Sequence, residues 1–156
     1  MTALGKLLDK QDISYRDLGK QLDIRNSSLV KYVNNSNTYY SKGYLRVYWH
    51  IAQLLKCDVE YVILGDIWKH NIGIIDHPIS LFDAVSLKAT QLNTSVLDVH
   101  NMLRQVLDIT NYSILSGYEN YRFTPSIKNA LLISNFLGCT INALWGDYFR
   151  RKFDAK

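Results

Sequence analysis

Along this chain apolar residues recur three and four positions apart, the spacing of a helix face turned to a core. Leu4, Leu7 and Leu8 mark a first helix at about residues 2–10. Ser14 is a good N-cap with Asp17 three positions on, and Leu18 and Leu22 then share one face. Asp23, Ile24 and Arg25 break the pattern, and Leu29 and Val33 resume it. Residues 34–41, NNSNTYYS, read as a loop. A fourth helix is expected over about 43–55, with Leu45, Ile51, Leu54 and Leu55 in the core. Asp58 would cap a short fifth helix ending near Gly65.

The same sequence of signals then returns. Pro78 suits a first helical turn and is followed by the stripe Leu81, Phe82, Val85. Asp98 is a candidate cap for a helix carrying Met102, Leu103 and Val106, and Thr110 for the next. Pro125 and Ser126 open a helix running to Leu137, and Thr140 caps a last one. The pattern predicts about ten helices and no strand. Three anchors recur in order: LDIRNSSL at Leu22 with LDITNYSI at Leu107, LKC at Leu55 with LGC at Leu137, and Gly65-Asp66 with Gly146-Asp147. Two copies of one unit follow. Their expected boundaries are 1–66 and 78–149, with an apolar connector at 67–77 and a basic tail at 150–156. The connector carries Ile67, Trp68, Ile72, Ile74 and Ile75, so it is expected to pack against the protein and not to act as a tether.

Composition changes the picture little: 156 residues, 47% apolar and 21% charged, is the make-up of a folded globular chain. No apolar run is long enough to cross a membrane, and the N-terminus is too polar for a signal peptide, so a cytoplasmic location is expected. The distribution of charge matters more than the net +4. Between Asp23 and Asp58 there is no acidic residue, while Arg25, Lys31, Lys42, Arg46, Lys56 and His50 fall in that window. A stretch cleared of acids suits a polyanionic partner. Cys57 and Cys139 lack metal spacing and read as buried thiols. The four histidines lack ligand spacing, and HExxH, GxGxxG and P-loop motifs are missing. The expectation is a non-enzyme without cofactor or metal.

Taken together, Ser14 and Leu18, LDIRNSSL, the closing VEYVILGD, and PSIKNALLISNFLGCTINALWGD in the second copy resemble the lambda-repressor/Cro-like helix-turn-helix family. The resemblance covers nearly the whole chain. It implies an all-α fold of two tandem five-helix domains, with helix 3 of the first in the major groove of double-stranded DNA. The function it implies is a sequence-specific transcriptional regulator, a repressor of phage or mobile-element type. Carried over residue by residue, the base-reading positions fall on Arg25, Asn26, Ser27 and Ser28, with Lys31 a turn later. Tyr15 at a helix N-terminus, and Tyr39, Tyr40 and Lys42 in the following loop, are placed to hold phosphates. In the second copy the corresponding positions are Asn111, Tyr112, Ser113 and Ser116. Arg25 stands where the family often has a capping Ser or Thr, which leaves Asn26 as the alternative cap. Gly19 supplies the small residue expected in helix 2, whereas the second copy, aligned on its LDI, has Arg104 there and His100 at the helix start. Gly117 falls inside the second copy's helix 3. A homodimer is therefore expected, the second copy or the connector forming its interface. The alternative is a helix-turn-helix-like module that binds another regulator.

Overall fold

The structure is a computed structural model describing residues 3–34, 45–69 and 73–154, with the side chains at 26, 32–34, 153 and 154 outside that description. The described residues form ten α-helices. The first half holds α1 Ala3–Lys10, α2 Tyr15–Leu22, α3 Asn26–Asn34, α4 Leu45–Leu55 and α5 Val59–Leu64, the last extended by a 3₁₀ turn at Gly65–Ile67. The second holds α6 Leu81–Gln91, α7 Val96–Leu107, α8 Tyr112–Glu119, α9 Ile127–Leu137 and α10 Ile141–Phe149. Arg150–Asp154 continues α10 as a wider helical turn, so the basic tail is helical over those residues. An isolated parallel bridge pairs Ile75 with Cys139.

Backbone landmarks repeat between the halves. Asp12 and Asn93 both take φ 54°, each two residues before a capping serine. Ser14 accepts from the Asp17 N–H, and Ser95 from the Asp98 N–H. Asp23 and Asp108 both close their helices in the left-handed conformation, at φ 54° and 53°. Further on, α9 starts and ends 82 residues after α4, and α10 runs 82 residues after α5 with its 3₁₀ turn. The largest difference lies between the capping serine and the left-handed aspartate. There α2 has 8 residues and α7 has 12, one extra helical turn.

Several caps differ from those the sequence suggested. Ser80, not Pro78, precedes α6, its hydroxyl accepting from the Asp83 N–H. Ser95, not Asp98, caps α7, because the serine oxygen reaches the third helical N–H. Asn111, not Thr110, caps α8. Asp58 does precede α5 but makes no side-chain cap bond, whereas Thr140 accepts from the Ala143 N–H and Ser126 from the Asn129 N–H. Leu54, Phe82, Met102 and Val106 are exposed, because the buried stripe of each helix runs beside them through Ile51, Val85 and Leu103. His100 lies one turn inside α7 and is buried, so it does not start the helix.

Both halves contribute to one hydrophobic cluster, from Leu4, Leu18 and Leu29 to Leu144 and Phe149. They meet where α4 and α5 pack on α10. The connector is docked in part. Ile75 donates its N–H to Gly138 O at 2.9 Å and accepts from the Thr140 N–H at 2.8 Å, and the Ile79 N–H reaches Ala143 O at 3.0 Å. Ile67, by contrast, is 80% exposed. Tyr121 ties the second half together: its hydroxyl accepts from the Leu81 N–H at 3.0 Å and donates to Leu144 O at 2.8 Å.

Two glycines make room for neighbours of different kinds. A Cβ on Gly19 would lie 2.7 Å from the backbone oxygen of Ile24, which the turn holds fixed. A Cβ on Gly117 would meet the far edge of the Phe123 ring at 2.2 Å, and that ring can swing toward solvent. Gly19→Ala should therefore lower stability by about 1–3 kcal/mol. Gly117→Ala should cost far less, since both helices regain about 1 kcal/mol of propensity but only the Phe123 ring can move aside. Urea denaturation of both variants measures the contrast, and equal losses would contradict it.

Candidate nucleic-acid interface

The α2–turn–α3 segment is built around two fully buried leucines, Leu18 and Leu29, one from each helix. The turn closes when the Ile24 N–H bonds to Gly19 O at 2.8 Å. The Leu29 N–H bonds to Arg25 O at 3.0 Å, so Arg25 holds the capping position by its backbone and α3 begins at Asn26. Leu29 faces the core, so the residues two before and two after it, Ser27 and Lys31, fall on the opposite side of the helix. Both are exposed, as is Arg25, and Ser28 is half-buried. Among the described residues no hydrogen bond or ion pair engages the Arg25, Ser27 or Lys31 side chains. A cation, a hydroxyl and a second cation thus stand on the outer face of α3, free to meet phosphates or base edges.

Tyr15 is the first residue of α2, its ring half-buried against the core. That places its backbone among the unsatisfied N–H groups of the helix start, where an anion is favoured. The Asn26 side chain, with Tyr39, Tyr40 and Lys42, lies outside the described residues.

The second half arranges the matching positions differently. The Asn111 side-chain oxygen accepts from the Ser113 N–H at 3.0 Å and from the Ser113 hydroxyl at 2.8 Å. Ser116 accepts from Asn120 Nδ2 at 3.2 Å. The Tyr112 hydroxyl bonds His100 Nδ1 at 2.8 Å, while the other ring nitrogen of His100 bonds Glu119. All four candidate side chains are engaged within the fold, and α8 is fastened to α7 by the His100 ring. Arg104 lies over the same turn, its guanidinium donating to Thr110 O at 2.6 Å. Counted back from the left-handed aspartate, Arg104 stands where Gly19 stands in α2, its carbonyl accepting from the Ile109 N–H as that of Gly19 accepts from Ile24, and His100 lies one turn earlier.

The joint between the halves holds groups that sequence reasoning did not single out. The Trp49 indole N–H donates to Asn142 Oδ1 at 2.9 Å, and its ring lies 5.4 Å from that of Phe149. Glu60 is only 2% exposed and accepts the Ile141 N–H at 3.2 Å, at the start of α10. Burial pushes its carboxyl up to about 7, and the Ile141 N–H opposes that in part. An acid inside the apolar run VEYVIL was the available signal. Burial likewise pushes the Cys57 and Cys139 thiols up to about 11, which keeps them protonated and inert. Among the described residues no group of His, Cys, Asp and Glu is placed to hold a metal, and no helix is long and apolar enough to cross a membrane. Comparison with family models, curated proteins and solved structures finds no match to this chain.

Glu60 makes stability depend on pH. Its folded value of about 7 lies above the ordinary 4.5, so the folded protein favours the neutral acid. The stabilisation is complete below pH 4.5 and is lost as pH rises through about 7. The expected loss is on the order of 2–3 kcal/mol. Glu60→Gln, which keeps the acceptor for Ile141, should remove that slope and raise the melting temperature at pH 8. Thermal unfolding of both proteins from pH 5 to 8 measures this, and parallel profiles would contradict it.

Proposed function

We propose that this chain is a sequence-specific DNA-binding transcriptional regulator made of two fused five-helix units of the lambda-repressor/Cro-like kind. The observation that carries the reading is the outer face of α3. Arg25, Ser27 and Lys31 project from a helix whose other face is locked by Leu29 and whose turn is closed at Gly19. The repeated caps, left-handed aspartates and 82-residue register support the two-unit description. In this reading α3 enters the major groove, Arg25 and Lys31 neutralise phosphates or reach guanine, and Ser27 donates to a base edge or a phosphate. The acid-free window from Ile24 to Cys57 keeps the same stretch attractive to the duplex.

The second unit has a different part. Its four candidate readers are held by the fold, so it is proposed as the half that makes protein contacts. Met102 and Val106, one turn apart on α7, and Leu97 are exposed there. A homodimer follows as the proposed assembly, because one helix-turn-helix reads only a few base pairs and two related by symmetry double the site. A palindromic operator is then expected. The competing reading, a module that binds another regulator and no DNA, is favoured by the same occupied α8.

Selection of bound sequences from a random duplex library, followed by a salt titration, separates the readings. A DNA reader yields an enriched motif and an affinity that falls steeply with salt. Arg25→Ala and Lys31→Ala should each weaken binding and reduce the salt slope by about 1 per lost phosphate contact. Ser113→Ala should leave DNA affinity unchanged, since that hydroxyl is spent on Asn111. Absence of binding to any duplex at low salt would overturn the proposal.

A further inference from the structure

The joint between the halves pairs α4 with α10, and a shift of 82 residues carries those two helices onto α9 and α5, where the packing is different. On one side the Trp49 ring occupies the space and its N–H meets the Asn142 side chain. Moving 82 residues along the chain exchanges these two positions for Leu131 and Glu60, which stand at the same places in α9 and α5. Leu131 and Glu60 also lie together, but with an open groove of about 570 Å³ beside them. Leu64, Trp68, Ile74 and Cys139 supply further apolar wall. A leucine stands where the other side has an indole, and a carboxyl stands where the other side has an amide. The space is that of a small-molecule site: mostly apolar, with a few convergent polar groups.

The chemistry of the floor selects the occupant. Glu60 is the acidic group among the described lining residues, and Lys69, exposed, is the basic one. One Glu60 oxygen takes the Ile141 N–H, and once ionised, as a cation beside it favours, the carboxylate accepts more than one bond. We propose that this groove binds a small aromatic amine. Its planar ring fills the place the Trp49 ring fills opposite, and its N–H or ammonium group pairs with Glu60. A charge-assisted bond formed away from water favours a cationic amine over a neutral ring, and an anion is disfavoured. The inference stands on the joint alone and does not depend on the reading of α3.

Tryptamine, indole and indole-3-acetate, titrated into the full chain by calorimetry, test it. Tryptamine should bind saturably and at least about tenfold more tightly than indole-3-acetate. Glu60→Gln should bring tryptamine down to the level of indole. Leu131→Trp should fill the groove and abolish binding of all three, with the fold checked by circular dichroism. Amide shifts on adding tryptamine to the wild-type protein give a measurement independent of any variant, and they should centre on Glu60, Leu131 and Cys139. Lack of saturable tryptamine binding, shifts centred elsewhere, or binding that survives in folded Leu131→Trp would overturn the proposal.

Discussion

Trp49 is buried to 1%, packs on Phe149 and donates its indole N–H to Asn142, while Glu60 accepts from the first N–H of α10. The two hydrogen bonds join residues 93 and 81 positions apart in sequence. They turn two short helical stretches into one hydrophobic cluster. Helices of 6 to 12 residues do not persist alone in water, so burial against neighbours has to hold them. The joint supplies neighbours for α4, α5 and α10 together. It also buries an acid, and that makes part of the fold's stability depend on pH. An acceptor was needed at the start of α10, and Glu60 supplies it.

The two turns show how one backbone plan carries different surfaces. Asp23 and Asp108 adopt nearly the same left-handed angles, and the residue after each bonds back into the preceding helix. In the first half the helices approach closely, because Gly19 has no Cβ to strike the Ile24 carbonyl. In the second half His100 of α7 bonds Tyr112 and Glu119, and Arg104, at the place of Gly19, donates to the Thr110 carbonyl. The polar groups that α3 leaves outward are, in α8, spent on holding that helix in place. His100 and Arg104, at the places Tyr15 and Gly19 hold in α2, thus separate a face occupied by its own fold from a face free to meet a ligand.

Much of the fold was legible in the sequence because helix periodicity and capping are local. Leu4, Leu7, Leu8, Leu18 and Leu29 are buried as their spacing required, and Ser14, Ser126 and Thr140 cap helices where expected. Less legible was which of several plausible caps is used. Ser95 and Asp98, or Thr110 and Asn111, are equally good residue types, and only the path of the chain selects between them. Apolar residues beside the buried stripe, such as Phe82 and Val106, misled for a similar reason. Spacing marks a face but not its width. The candidate reading face was visible at Arg25, Ser27 and Lys31, since a helix start and a buried Leu29 together place those residues outward. The occupied state of α8 was not visible, because it depends on His100, which lies on α7 twelve residues before its partner Tyr112.

By itself the sequence determined the helical class and the position of an acid-free, cation-bearing stretch in the first half of the chain. These follow from the order of residue types and need no knowledge of what touches what. Only the tertiary structure decided that the halves share a core, that Glu60 is buried in it, and that Leu131 faces a groove where Trp49 fills its own side. The physical reason is range. Propensity, capping and periodicity act within a turn or two of chain, whereas burial and the fate of a buried charge depend on residues brought from far along the chain.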